Sequence, residues 1–242
     1  MAIYLEEEWC ADDIIKFCSS NNIECLVHSQ EEFRKMDTNT FLLLPFFCST
    51  TVVQFHLNKI GYSIPDTYQQ NFNKFFKRKI EKCQYQNLLT TEFPIFIKPV
   101  GNDKKFDGTV FENLDQFKEI LSINTLDDTL EIKPGMEFYI SSILKFEVEY
   151  RLFIGNGHIY ASAFQKGNDK IKIDENFVEE IILTCGKEFF AVDIGFIKEN
   201  SEWAIVEINP PFALDDYEID LEIYIKYGTD FHKFQVLPLL NP

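Results

Sequence analysis

Two apolar runs near the end of this chain each carry a carboxylate in the middle of what would otherwise be a buried strand. Phe189-Phe190-Ala191-Val192-Asp193-Ile194-Gly195-Phe196-Ile197 and Trp203-Ala204-Ile205-Val206-Glu207-Ile208-Asn209 flank Lys198–Glu202, a polar five-residue turn. A hairpin symmetric about Asn200 sets Asp193 directly opposite Glu207, with Asn209 two residues further along the same face. Side chains paired across antiparallel strands stand about 4.5–5.5 Å apart at Cβ, and like charges there are destabilising. Apolar neighbours add a desolvation penalty. A divalent cation relieves both costs, and two carboxylates with an amide oxygen form an all-oxygen set suited to Mg2+ held jointly with phosphates. The alternatives are an exposed, hydrated pair or a slipped register.

Three earlier segments carry polar groups at telling places. Asn71 to Tyr85 reads as a basic helical stretch with Lys74, Lys77, Arg78, Lys79 and Lys82. Phe93-Pro94-Ile95-Phe96-Ile97-Lys98-Pro99 is an apolar strand ending in a lysine. A glycine-bounded loop from Gly101 to Gly108, bearing Lys104 and Lys105, follows it. A cation at a strand end beside a donor-rich loop is a phosphate cradle in physical terms, though a lysine there can equally just end a strand. Neither G-x-x-x-x-G-K-S/T nor G-x-G-x-x-G occurs. In Phe146–Ile154 the even positions are apolar, while Glu147, Glu149 and Arg151 share the other face. That face is either a solvated surface or one wall of a cleft.

The rest of the chain sets the frame. Ile3–Leu5, Ile23–His28 and Phe41–Leu44 read as short strands, the last stopped by Pro45, with helices over Ala11–Ser20 and Thr50–Ile60. Strands alternating with helices imply a small parallel sheet in residues 1–66. From 67 onward the texture turns to longer strands and hairpins, with helices over Asn113–Ile123 and Glu175–Glu188, so this region reads as α+β. Within it, about 67–140 is expected to form a small lobe and 141–242 an antiparallel-sheet lobe with the metal site.

Twenty-three Lys and Arg against 39 Asp and Glu give a net charge of −16, which argues against nucleic acid as a partner. The six cysteines form no C-x-x-C and the four histidines no H-x-x-x-H, so no zinc site is expected and the thiols read as reduced. The longest apolar run, Phe41–Cys48, is eight residues and contains Pro45, against the ~18 needed to span a bilayer. With no secretory signal visible in Met1–Glu8, the expectation is a cytoplasmic protein without a membrane partner.

In order, the segment with Arg78, the F-I-K-P strand with its K-x-F-x-G loop, the E-x-R strand and the V-D-I … V-E-I-N-P ending resemble the ATP-grasp superfamily. The resemblance spans roughly Tyr68–Tyr227 and is nearest to the clade named for two arginines and one lysine. It implies an ATP-grasp fold, in which a small N-terminal α/β domain precedes two α+β subdomains that clasp ATP. It further implies that Lys98 contacts the α- and β-phosphates, with Arg78 in the place of an earlier phosphate-binding lysine. Lys104 would close over the triphosphate, and the segment from Glu137 through Ile143 and Leu144 would read adenine. Glu149 would hold the ribose, and Arg151 would approach the γ-phosphate or an acyl-phosphate. Asp193, Glu207 and Asn209 match the family's Mg2+ ligands. The activity implied is ATP-dependent joining of a carboxylate to an amine through an acyl-phosphate, with peptides or proteins among the candidate substrates. Two rivals stand beside it: a nucleotide-binding module without turnover, and an interaction protein whose acidic surface docks on something basic. Asp215, Asp216 and Tyr217 are placed either to meet an amine-bearing substrate or as an ordinary acidic loop.

Overall fold

A computed structural model of the chain describes residues 1–9, 12–62, 64–101, 106–123, 135–212, 214 and 218–240. The chain opens with β1 (Ala2–Glu6), α1 (Asp12–Ser20), β2 (Glu24–His28), α2 (Gln30–Lys35), α3 (Thr38–Phe41), β3 (Phe46–Phe47) and α4 (Thr50–Lys59). Its three strands form a parallel sheet in the order β2-β1-β3. Local chemistry sets the helix starts. Ser29 and Glu32 form a reciprocal capping box before α2, and the Asp37 carboxylate accepts the Asn39 and Thr40 N–H groups before α3. That Asp37 cap overturns one expectation. Phe41–Leu44 is not a strand, because Thr38–Phe41 is drawn into a helical turn and the strand comes only after Pro45.

A second correction concerns residues 71–85. Only Gln70–Phe75 is helical, as a 3-10 helix. The chain then turns through Lys77 (φ 53°) and becomes β4 (Ile80–Gln84), so Arg78 sits on a bend rather than a helix. Pairing with a distant strand outweighs the local helical spacing here. α5 (Tyr85–Leu88), β5 (Ile95–Pro99), β6 (Thr109–Phe111), α6 (Leu114–Ile123) and β7 (Glu137–Ser141) follow. They supply an antiparallel sheet in the order β4-β7-β5-β6.

The third sheet is the largest. β8 (Phe146–Gly155), β9 (His158–Gly167), β10 (Phe190–Ile197) and β11 (Glu202–Asn209) lie in the order β11-β10-β8-β9, all antiparallel. α7 (Glu175–Cys185) covers one face of it, burying Ile181 among Leu152, Ile154, Val192 and Ile205. α8 (Leu221–Phe231) continues through a π-helical turn into α9 (Leu237–Leu240). Tyr224 and Ile225 of α8 pack against Ile3 and Leu5 of β1, while Tyr227 and Phe231 meet Phe153 and Ala191 of the large sheet. Burying a large apolar side chain stabilises by about 1.5–3 kcal/mol, so these four residues tie the first sheet firmly to the last. The α+β expectation holds. Among the described residues no helix is long and apolar enough to cross a membrane.

Candidate active site

Strand alternation aims one face of each antiparallel sheet into a shared cleft. On β5, Ile97 points into the small-sheet core with Phe111, Phe117 and Phe138, which sends Phe96 and Lys98 the other way. On the large sheet, Val148, Leu152, Val192 and Ile194 point into the core under α7, which turns Glu149, Arg151 and Asp193 toward the same space. Between the two faces lies a cavity of about 460 Å³. Arg78, Lys98, Ile143, Leu144, Glu149, Arg151, Asp193, Glu207 and Asn209 all reach it. The charged face of β8 is therefore a cleft wall and not a solvated surface, since Glu149 and Arg151 are only 9% and 8% exposed.

Asp193 stands directly opposite Glu207 in the β10–β11 ladder, and Arg151 lies opposite Asp193 on the other side. Arg151 forms a two-toothed ion pair with Asp193, Nε to Oδ1 and Nη2 to Oδ2, each at 2.7 Å. Lys98 Nζ reaches across the cleft to Glu207 Oε2. The Asn209 amide joins the two carboxylates, donating to Asp193 Oδ2 at 3.0 Å and Glu207 Oε1 at 3.2 Å. Burial raises the Asp193 pKa and Glu207 adds to the rise, against the lowering by Arg151 and Gln165. Burial would raise Glu207 as well, but Lys98, Asn209 and Arg151 outweigh it and hold that carboxyl below its ordinary range.

Two β-bulges shape this wall. In β11, Val206 is left unpaired between the Asp193–Glu207 and Ile194–Ile205 pairs, and its carbonyl accepts Arg78 Nη2 at 2.9 Å. In β9, Gln165 is left unpaired between Lys166 and Phe164. It turns into the cavity beside Lys166, where its amide donates to Asp193 Oδ1 at 2.9 Å. Gly167 (φ 99°) makes that bulge possible, since a Cβ there would fall 2.2 Å from the Glu147 carbonyl oxygen. Lys166 Nζ lies 3.1 Å from Glu149 Oε1. Neither Gln165 nor Lys166 stood out in the sequence, because a bulge has no local signature beyond the glycine that follows it.

Arg78 is largely buried at the base of the cleft, its guanidinium about 6 Å from the rings of Phe96 and Phe146. Burial pulls its pKa down, partly offset by Tyr68 and by Glu207 and Glu149. Its Nη1 and the Tyr68 hydroxyl are buried without a hydrogen-bond partner of good geometry among the described residues. An unanswered guanidinium nitrogen in a cavity wall suits an anionic oxygen.

The structure does not bring every expected residue to the cleft. Glu137, which opens β7, does not line the cavity, whereas Ser141, Ser142, Ile143 and Leu144 at the β7–β8 connection do. Of the residues named for the expected adenine-reading segment, Ile143 and Leu144 line the cavity and Glu137 does not, with β7 pinned between β4 and β5 as far as Ser141. Lys104, Asp215, Asp216 and Tyr217 lie outside the described residues.

No three His, Cys, Asp or Glu side chains gather as a metal cage among the described residues. Two opposed, buried carboxylates and one amide are a partial ligand set. It fits Mg2+, which commonly takes one or two carboxylates and completes its shell with water and phosphate oxygens. Both carboxylates face cations in this structure, so the site already holds positive charge where a dication would sit.

Comparison with known proteins follows the same lines. A family model matches residues 75–227, that of the ATP-grasp domain of the clade named for two arginines and one lysine, family 2. Among solved structures, the fold resembles D-alanine–D-alanine ligase from Bacillus anthracis complexed with ATP, with a TM-score of 0.57 at 12% identity, covering 96% of this chain and 99% of that one. It also resembles N5-carboxyaminoimidazole ribonucleotide synthetase from Thermotoga maritima, with a TM-score of 0.54 at 13% identity over 89% of this chain and 69% of that one. L-amino acid ligase from Bacillus licheniformis gives a TM-score of 0.55 at 8% identity over 86% and 68%. At such identities the likeness is one of fold. No curated protein matches the chain by sequence.

Proposed function

The chain belongs to the ATP-grasp family whose model spans residues 75–227, and from that premise we propose that it is an ATP- and Mg2+-dependent ligase joining a carboxylate to an amine. The observation that carries this reading is the cleft itself. Three cations from three separate segments, Arg78, Lys98 and Arg151, meet two facing carboxylates and an amide in one cavity. Such a cleft can take a polyanion and a dication together.

In the proposed reaction a carboxylate oxygen of the first substrate attacks the γ-phosphorus of ATP. The bond from that phosphorus to the bridging oxygen breaks, and ADP leaves with the bond's electrons. The amine nitrogen then attacks the acyl carbon, the bond to the phosphate oxygen breaks, inorganic phosphate departs and the nitrogen loses a proton to solvent. Lys98 and Arg78 hold the α- and β-phosphates, and Arg151 with Lys104 neutralises charge on the transferring phosphoryl group. Backbone groups at Ser142–Leu144 read adenine, and Glu149, released from Lys166, accepts the ribose hydroxyls. Asp193, Glu207 and Asn209 would hold Mg2+, the asparagine through its amide oxygen. When bound, the ion supplies charge neutralisation at the phosphates. Residues 1–66 form the lobe beside the cleft, with about 67–140 and 141–242 as the two halves that clasp the nucleotide. Five described cysteines, all free thiols, support a cytoplasmic setting.

The test is ADP release from ATP and Mg2+ across a matrix of carboxylates and amines, peptides included. ADP release that requires one acid and one amine, and is lost in Lys98→Ala, supports the reading. Tight nucleotide binding with no acid–amine pair turned over would reduce the protein to a binding module.

A further inference from the structure

A second cavity, of about 500 Å³, lies beside the nucleotide cleft and shares Gly101 with it. It opens between α4, the segment leading to the 3-10 helix, and the end of β5. Gln54 and Asn58 line it from α4, Asp66 and Thr67 from that segment, and Tyr139 from β7. Asp66 is the one formally charged residue among the described lining. Its carboxylate is fixed in place by the Tyr139 hydroxyl, by Lys82 at 3.0 Å and by the Tyr68 N–H at 3.4 Å. Burial alone would raise its pKa, but the Tyr139 and Lys82 contacts outweigh that and keep it ionised. A carboxylate offers about four acceptor positions, so three donors leave room for another.

We propose that this cavity is a binding site for a cationic amine carried on a peptide-like group, and that it presents the amine substrate of the ligase reading to the neighbouring cleft. The inference rests on that reading and adds both a place and a chemical class to it. Asp66 receives the ammonium, which gives one proton to solvent before its nitrogen attacks the acyl carbon in the neighbouring cleft. Asn58 of α4 offers an amide group that matches a peptide backbone. The Asp66 carboxylate would repel an anion placed against it. The backbone from Lys98, which reaches into the nucleotide cleft, to Gly101, which borders both spaces, is short. A ligand here therefore lies next to the phosphate end of the cleft. The chain's net charge of −16 favours approach of a cation.

The experiment uses the full chain loaded with a non-hydrolysable ATP analogue and Mg2+. It is titrated by calorimetry with glycylglycinamide as the cation, its N-acetyl form as the neutral isostere and N-acetylglycylglycine as the anion. The expected result is binding of the cation alone, weakened at least tenfold in Asp66→Asn and in Asn58→Arg. Asn58 is an exposed helix position, so its replacement keeps the test open if Asp66→Asn misfolds. Both variants should bind the ATP analogue as the parent does. Equal binding of the neutral probe, unchanged cation affinity in both variants, or no cation bound by nucleotide-loaded protein would each overturn the proposal. Failure of the parent to bind the ATP analogue would instead sink the ligase reading, so the two failures are told apart in one series.

Discussion

Two buried carboxylates at strand positions, Glu6 in the parallel sheet and Asp193 in the large antiparallel one, are satisfied in opposite ways. Glu6 is fully buried and accepts from the Ser49 N–H at 2.7 Å, the Ser49 hydroxyl at 2.9 Å and the Gln30 amide at 3.4 Å. Its donors are short and neutral, one of them the backbone before α4, and it lines none of the cavities described above. Asp193 and its neighbour Glu207 are held mainly by Arg151 and Lys98, long side chains at the wall of a cavity. A carboxylate locked by neutral local donors stiffens the fold. One held by cations that reach in from other strands can exchange those partners for a metal, while the cations pass to phosphates.

The largest effects should come from the exchangeable side. Lys98→Ala, Arg151→Ala and Glu207→Gln should each lower ADP release by about 10²–10³. Circular dichroism should show the fold retained in each. Near-parental turnover in any of them would erase the contrast, because the cleft ion pairs would then be as structural as the Glu6 cluster. Glu6→Ala should do the reverse. Leaving the Ser49 and Gln30 donors without their acceptor typically costs about 1–3 kcal/mol, read as a lower urea midpoint, with nucleotide affinity of the folded protein unchanged.

Gln165 sharpens the comparison from within the cleft. It is a neutral donor like those around Glu6, yet it holds a carboxylate on the exchangeable side. Groups that orient a metal ligand typically matter by about 10–100-fold in metal affinity. Gln165→Leu should raise the Mg2+ concentration at half-maximal thermal stabilisation, at fixed ATP analogue, by roughly tenfold. The urea midpoint without ligands should move little. A large loss of stability with unchanged Mg2+ dependence would put Gln165 in the same class as Ser49.

How far the sequence could reach is visible at the same residues. Asp193 opposite Glu207 was legible because a polar turn between two apolar runs restricts the register. The expected route to that pair was off by one residue. Ile197 pairs with Glu202, so the turn is shorter than read, and the bulge at Val206 restores the alignment for Glu207 and Asn209. Arg78 was legible as a cation in a basic stretch, but its place on a bend depends on β4 pairing with β7, which local spacing does not encode. Gln165 was hidden for the same reason: its direction is set by a mismatch between two strands. The helices with clear amphipathic spacing or caps, α1, α4, α6 and α7, were readable within a few residues of their ends. α3 is hidden because the apolar run after Asp37 carries a stronger strand signal than the cap carries for a helix.

The smallest effect should be a pH dependence on the locked side. His56 and His232 are buried in the first core, each with Nε2 2.9 Å from a backbone carbonyl oxygen, that of Phe33 and of Leu42 respectively. Burial lowers both pKa values from about 6.5, and the carbonyl contacts offset only part of that. Each is thus neutral when folded at a pH where the unfolded chain already binds a proton. Their contribution is intact above about pH 6.5 and is lost as the pH falls below it toward the folded values. Each group can lower stability by at most about 1.4 kcal/mol per pH unit within that window. The urea midpoint should therefore fall between pH 7 and pH 5.5. His232→Gln, which keeps a donor for the Leu42 carbonyl but cannot titrate, should flatten part of that slope. An unchanged slope in His232→Gln would mean that the acid sensitivity lies elsewhere, and the cleft carboxylates would then be the next groups to replace.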